Sequence, residues 1–276
     1  MTRREFYELL SAAVRDLLEH GYDSRERVQD WLDRIRRAMH EALVPESLLR
    51  ERLVEGLSRT FRQQVETDAL FRRHPGVARY TIERLRPQMR QELDRRILAS
   101  ANLIRLNRRQ SIERTLQRFE GWATAIPAGG RPSQLKRPVD KRLRKAFQSL
   151  PFEERRVIVD QGHKLTAAIN DIVAEAGDAI AQVWHSHWRE TGYDYRPRHK
   201  QFDGMVFLLR GNWAQREGLV KLGGHLYADQ IERPAELPFC RCYATYLYSP
   251  SELPEDMLTA KGRRWIKEAR RRVAAA

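Results

Sequence analysis

The runs MVFLL at residues 205–209 and YATYLY at residues 243–248 decide the fold class, because they are the first strand-like stretches in a chain whose earlier part has helical periodicity. Both runs are rich in aromatic and β-favouring residues. The segment between them carries turn-forming residues: Gly211, Gly218, Gly223, Gly224 and Pro234. The sequence therefore predicts an α+β protein, with a predominantly helical N-terminal domain followed by a small α+β domain.

Helical periodicity dominates the chain before these strands. Apolar residues recur at three- and four-residue spacing in residues 6–39, and again over residues 89–122 with arginines on the other positions. Another helical pattern begins after Pro151, continues through Trp188 and is expected to end near Gly192. The Arg- and Lys-rich segment around Trp265 predicts one last basic helix.

These patterns predict four consecutive segments. Residues 1–122 form a helical domain for self-association or DNA contact, and residues 123–150 form a basic linker that contains proline and glycine. Residues 151–250 form the small α+β domain, and residues 251–276 form the basic C-terminal helix.

Arginine gives the chain a strong positive charge. The 276 residues include 51 Lys and Arg against 37 Asp and Glu, for a net charge of +14. Residues 61–120 alone hold 14 basic and 7 acidic residues, and such an excess favours a polyanionic partner such as DNA. The alternative is that these helices are solvated faces paired with neighbouring carboxylates. The candidate DNA contacts are Arg84, Arg86, Arg90, Arg95, Arg96, Arg105, Arg108 and Arg109.

Membrane proteins and disulfide-stapled secreted domains do not fit this composition. No apolar run approaches the roughly 20 residues needed to span a bilayer, and charges interrupt the N-terminal segment where a signal peptide needs an apolar stretch. The chain is therefore expected in the cytosol unless it is assembled elsewhere. Its two cysteines, Cys240 and Cys242, are too closely spaced for an ordinary structural disulfide.

The two cysteines share the small domain with a histidine. On an extended segment both thiols would lie on one face, where they could share a zinc ion with His199 and one further ligand. In the alternative interpretation both cysteines are small core residues and His199 is a hydrogen-bonded structural histidine. The candidates for the fourth ligand are His185, His187 and His225.

A catalytic role is the weaker interpretation of the same segment. His199 could act as a general base, with Arg196 or Arg198 stabilising a phosphorane-like transition state, as a metal-independent ribonuclease would require. No second catalytic histidine with a convincing partner is evident. The phosphate-binding loop, the nucleophile elbow and the HExxH motif are also missing from the sequence, which favours a binding or structural role.

The segment RPRHKQFDG at residues 196–204, followed by LPFCRCY at residues 237–243, resembles the Mu F-like head morphogenesis domain of tailed bacteriophages, also called the minor head protein family. The resemblance covers about residues 185–250. The matching positions are Trp188, Asp194, Arg196, His199, Asp203, Gly204, Pro238, Cys240, Arg241 and Cys242.

The resemblance implies a virion protein carried in a few copies inside the capsid near the portal, and present in the host cytoplasm during assembly. Such a protein assists head assembly, genome packaging or DNA delivery. The expected partners are the portal protein, double-stranded DNA bound without sequence preference, and scaffolding or major capsid protein, with no membrane. No enzymatic activity is expected, and no cofactor beyond a structural zinc. Two alternatives stay open: a nuclease or toxin-like enzyme delivered with the genome, and a portal adaptor without affinity for nucleic acid.

Overall fold

A computed structural model describes residues 2–126 and 136–275. The protein is 65% helical and has one small three-stranded antiparallel sheet near the C-terminal end of the described residues, so the predicted α+β class is confirmed. None of the helices in the two described ranges is long and apolar enough to span a membrane.

The elements occur in the following order. The helices before the sheet are α1 (Arg3–His20), α2 (Arg25–Ala42), α3 (Glu46–Val65), α4 (Ala69–Arg73), α5 (Arg79–Arg84), α6 (Arg86–Ala123) and α7 (Lys136–Ala176). The sheet region contains β1 (Ala181–His185), α8 (Pro197–Gln201), β2 (Val206–Leu208), α9 (Trp213–Arg216) and β3 (Tyr243–Leu247), and α10 (Ala260–Ala275) follows. Short 3₁₀ turns lie at Ala228–Gln230, Pro250–Glu252 and Glu255–Met257.

The chain divides into two compact units. Unit 1 comprises residues 1–54 and 98–157, and unit 2 comprises residues 55–97 and 158–276. Each unit is built from two separated stretches, unlike the consecutive segments predicted from the sequence. The predicted linker at 123–150 also differs, because the chain is helical from Lys136 onward, while residues 127–135 lie outside the described part.

Unit 1 is held together by an apolar core. Residues from α1 and α2 pack there with residues from the C-terminal part of α6, which include Ile112, Leu116 and Phe119. Thr2 and Glu5 form a capping box that satisfies backbone N–H groups at the start of α1. Gly21, with a φ of +76°, ends this helix. The helical spacing of the apolar residues thus corresponds to a buried stripe on each helix.

Unit 2 contains the sheet, in which β1 lies between β2 and β3. Both pairs are antiparallel, and Ala181 at the start of β1 is opposite Leu208 on one side and Leu247 on the other. The strands predicted at residues 205–209 and 243–248 are therefore confirmed. Trp184 of β1 is fully buried and packs against Phe202 and Phe207.

The central strand corrects a prediction. The helix expected to reach Trp188 ends at Ala176, and residues 181–185 form β1 instead. Asp178 adopts a left-handed φ of +53°, which interrupts the helix. The apolar spacing of residues 180–184 fits either element, and two hydrogen-bonded neighbouring strands favour the extended one. His187 consequently lies in a loop after β1 rather than on a helix.

Candidate metal centre and basic residues

Three potential metal ligands meet in unit 2. The helix α8 begins with Pro197, whose fixed φ suits the first turn, and places His199 on its buried side. Cys240 and Cys242 lie on the segment that leads into β3, and each sulfur is 3.5 Å from Nδ1 of His199. No two of the three ligand atoms are more than 4.8 Å apart. The predicted convergence of both thiols on one face is therefore present.

The two thiols differ in their readiness to lose a proton. Hydrogen bonds from the Cys242 thiol and from backbone groups of Cys242 and Ala235 lower the pKa of Cys240 to about 5. The pKa of Cys242 is raised, first because its thiol donates to Cys240 and then because it is buried. The pair therefore favours one thiolate and one thiol beside His199. A thiolate is the form that binds metal.

The geometry of this group suits zinc. Zn–S bonds of about 2.3 Å and Zn–N bonds of about 2.0–2.1 Å at tetrahedral angles place N and S about 3.6 Å apart. Both observed Nδ1–Sγ distances, 3.5 Å, are close to that value. A bound dication would also favour loss of the proton from Cys242. His199, Cys240 and Cys242 are therefore the residues that would hold zinc, and their Cys₂His set leaves one coordination position for another ligand.

None of the three candidate fourth ligands joins this group within the described residues. His185 contacts Thr245 Oγ1 at 2.9 Å and stacks on Tyr243. His187 lies 3.7 Å from the carboxylate of Glu190. His225 is partly buried, and its Nε2 has no hydrogen-bond partner in the part of the chain that the structure describes.

The other motif residues form a framework around the three ligands. Asp203 accepts hydrogen bonds from Ser186 N and Trp188 Nε1, each 2.9 Å long, and these donors lower the pKa of its carboxyl. Gly204 has a φ of +79° and donates its N–H to Trp184 O. The predicted Asp203–Gly204 turn thus connects α8 to β2 and also fixes the loop after β1.

The segment around the cysteines is held from both sides. Arg196 donates to Pro238 O at 3.0 Å, while Arg241 N donates to the Tyr193 hydroxyl at the same distance. The Arg241 side chain also pairs with Glu190 at 2.7 Å. Asp194, the remaining motif position outside this framework, is exposed.

Sequence reasoning missed one residue that positions the cysteines. Asp160 of α7 is only 5% exposed, and its Oδ1 accepts the Phe239 N–H at 2.5 Å. Phe239 has a φ of +61°, which is unfavourable for a bulky side chain and needs such support. The sequence offered one signal for this role, an acidic residue inside an amphipathic helix. Its partner could not be identified from the sequence because Phe239 lies 79 residues away.

The proposed catalytic trio does not have an open, substrate-accessible histidine. His199 is 2% exposed and directs Nδ1 toward the sulfurs. Arg196 bonds to Pro238 O, and Arg198 pairs with Glu232 at 3.3 Å. Each of the three side chains therefore has a contact within unit 2 that gives it a structural role.

The eight candidate DNA-contacting arginines are not equivalent. Arg108 is 7% exposed and pairs with Glu154 at 2.5 Å, and Arg96 is only partly exposed and pairs with Glu92. Neither guanidinium is free for phosphate. The exposed members that have a carboxylate partner are Arg90, Arg95 and Arg105. The exposed members without an ion-pair partner among the described residues are Arg84, Arg86 and Arg109.

The chain was compared with protein-family models, with curated proteins and with solved structures, and none of them matches. The resemblance to the Mu F-like domain therefore rests on the motif residues themselves, and the support for a function comes from how these residues are arranged.

Proposed function

We propose that this chain is a minor head protein of a tailed phage, which acts near the portal during head assembly, genome packaging or delivery and binds double-stranded DNA without sequence preference. One observation carries the proposal. Motif residues in 188–204 contact motif residues in 238–242, which are far away in sequence: Arg196 contacts Pro238, and His199 contacts both cysteines. Within the first segment, Trp188 donates a hydrogen bond to Asp203. The motif thus acts as a structural framework.

Zinc has a structural part in this proposal. When bound by His199, Cys240 and Cys242, the ion would join α8 to the segment before β3 by strong bonds that no local secondary structure supplies. The ion would stabilise the framework without taking part in a reaction. The burial of His199 supports this role over the nuclease alternative.

DNA binding is assigned to the exposed arginines of α6 and to Arg84 at the end of α5. Arg86 and Arg109 are exposed, with no carboxylate partner in the described part of the chain. Binding phosphate with such side chains releases condensed counterions, so the affinity depends on salt and not on sequence. The basic excess over residues 61–120 supports this assignment.

The DNA-binding prediction is tested with a double variant, Arg86→Gln with Arg109→Gln. Wild-type protein should bind duplexes of unrelated sequence equally well, with an affinity that falls steeply as salt rises. If both arginines contact phosphate, the slope of log affinity against log salt should become shallower by about 2 in the variant, because each lost contact removes about 0.9. Fluorescence anisotropy across a salt series measures this slope.

A second double variant, Arg25→Gln with Arg37→Gln, is the matched control. It removes the same charge from exposed sites in residues 1–60, which hold 11 basic and 12 acidic residues, and should leave the slope unchanged. Equal slopes for all three proteins would contradict the assignment of DNA binding to Arg86 and Arg109. Cleavage of the duplex that His199→Ala abolishes would favour the nuclease, and portal binding without any DNA affinity would favour the adaptor.

A further inference from the structure

Unit 2 contains a cleft of about 700 Å³. Of the three proposed zinc ligands only Cys242 lines it, and the proposed function assigns no ligand to its interior. Side chains from α3, α4, α7 and the segment around β3 line it, and these include Arg59, Gln64, Arg73, His163, Arg241 and Tyr243. Its volume falls within the range of sites for small organic ligands, about 300–1,000 Å³. Three arginines in one concave site indicate an anionic ligand.

Arg73 is the cationic residue of the cleft whose guanidinium lacks an anionic partner among the described residues. Its Nη1 atom is buried and has no hydrogen-bond partner, and no carboxylate in the described part of the chain lies within ion-pair distance of it. Burial lowers the pKa of this guanidinium. Its Cζ atom lies 6.0 Å from the centroid of the Tyr243 ring. A partly buried cation without an anion is costly, so a ligand with negative charge would offset that cost.

The remaining charges in the cleft are largely matched. Arg59 pairs with Glu55 and Arg241 pairs with Glu190, each at 2.7 Å. Asp171, the acidic residue in the lining, accepts a hydrogen bond from Tyr246 and pairs with Arg233. The unmatched charge is therefore positive and sits at Arg73, and the forked guanidinium can bond two phosphate oxygens at once.

Two further groups favour a ligand with a sugar and a ring. The Gln64 Oε1 atom is buried without a hydrogen-bond donor among the described residues, so a ligand hydroxyl could donate to it. Tyr243 is 39% exposed and already stacks on His185, with ring centroids 4.7 Å apart. An aromatic side chain held in this way offers a surface for a flat ring.

We propose that this cleft binds a phosphate monoester of the nucleotide class, with Arg73 as the phosphate-binding residue. The phosphate would come either from a free nucleotide or from the 5′ end of a DNA strand. None of the exposed arginines of α6 lines this cleft, so the proposal does not depend on the proposed binding of duplex DNA.

Isothermal titration calorimetry with the full chain tests the proposal. dAMP should bind at least about tenfold more tightly than deoxyadenosine, because only dAMP supplies the charge that matches Arg73. Arg73→Gln should weaken dAMP binding at least about tenfold, and Arg73→Lys, which keeps the charge, should weaken it less. Arg72→Gln, an equal charge change at the exposed neighbouring position, is the matched control and should bind as wild type does.

Further titrations identify the source of the phosphate and test whether the cleft binds it independently of Arg86 and Arg109. Tighter binding of a 5′-phosphorylated duplex than of its 5′-hydroxyl counterpart would identify a DNA end, and dAMP binding without that preference would identify a free nucleotide. The Arg86/Arg109 double variant should retain dAMP binding. Three outcomes would overturn the proposal. The first is equal affinity for dAMP and deoxyadenosine, and the second is an equal effect of Arg73→Gln and Arg72→Gln. The third is dAMP binding that is lost only when metal is removed by a chelator.

Discussion

At the scale of single residues, the position of His199 depends on contacts that surround its ring. The Trp184 indole packs edge-on against it with centroids 5.1 Å apart, and the two thiols approach Nδ1. The Nδ1 atom of this buried imidazole therefore faces the sulfurs. That arrangement is consistent with a metal ligand and also with a hydrogen-bonded core histidine, so metal content distinguishes the two interpretations.

The zinc prediction concerns Cys240→Ser and Cys242→Ser. Wild-type protein purified with zinc should contain about one zinc per chain, and each variant should lose most of it because a hydroxyl is a poor substitute for thiolate. The midpoint of thermal unfolding should fall in both variants, since metal-binding energy contributes to folding. Elemental analysis and calorimetry measure the two quantities. His225→Gln, outside the ligand group, is the control. A folded wild-type protein without zinc, insensitive to added zinc, would contradict this prediction.

His74 makes stability depend on pH. Its ring is fully buried, with Tyr248 Oη 2.5 Å from Nδ1 and Asn170 Oδ1 2.9 Å from Nε2. The neutral ring satisfies both contacts, with Nε2–H donating to Asn170 and Nδ1 accepting from Tyr248. Burial lowers the pKa of His74 to about 4 from an ordinary value of 6.5. As pH falls between these values, the unfolded chain gains a proton that the folded chain does not, and stability is lost.

The expected loss from pH 7 to pH 4 attributable to His74 is about 3 kcal/mol in the free energy of unfolding, which urea titrations at several pH values measure. His74→Gln should be less stable at pH 7 and should show a flatter pH dependence than wild type. His40→Gln, at an exposed position, should retain the wild-type dependence. A parallel pH dependence for wild type and His74→Gln would exclude His74 as the source.

At the scale of elements, the N-terminal end of α10 packs against the turn at residues 217–219. Thr259, which immediately precedes α10, donates its N–H to Leu219 O at 3.0 Å and its hydroxyl to Gly218 O at 2.7 Å. Lys261 Nζ adds a bond of 2.6 Å to Glu217 O. The close approach requires glycine at position 262, where a Cβ atom would lie 2.2 Å from Leu219 O.

Gly262→Ala should therefore destabilise the protein by about 1–3 kcal/mol, because backbone must move to make room for the methyl group. Gly121→Ala is the matched control within α6, since its Cβ would have no atom within 4 Å. That change should stabilise the helix by about 0.5–1 kcal/mol through backbone entropy. Urea unfolding compares both variants with wild type, and a neutral or stabilising Gly262→Ala would show that α10 is not packed in this way.

At the scale of the whole molecule, the two units divide the chain in an interleaved order. Arg108 joins the two stretches of unit 1, because its Nη1 donates to Val44 O of the first stretch at 2.8 Å. Its guanidinium also forms an ion pair with Glu154 of the second stretch, 46 residues away, and both side chains are largely buried. Removing one member would leave a buried charge unpaired. The net charge of +14 remains a property of the whole chain, whereas burial and pairing select which arginines can meet phosphate.

The sequence by itself determined the α+β class, the helices α1, α2, α6 and α10, and the strands β2 and β3, because each has a local apolar or β-favouring pattern that a single element satisfies. It also indicated that His199 and the cysteines could meet. Only the tertiary structure decided that residues 181–185 are a strand, that Arg108 is buried and that Asp160 supports Phe239. These outcomes depend on partners distant in the chain, and the energy of such contacts is absent from any local pattern.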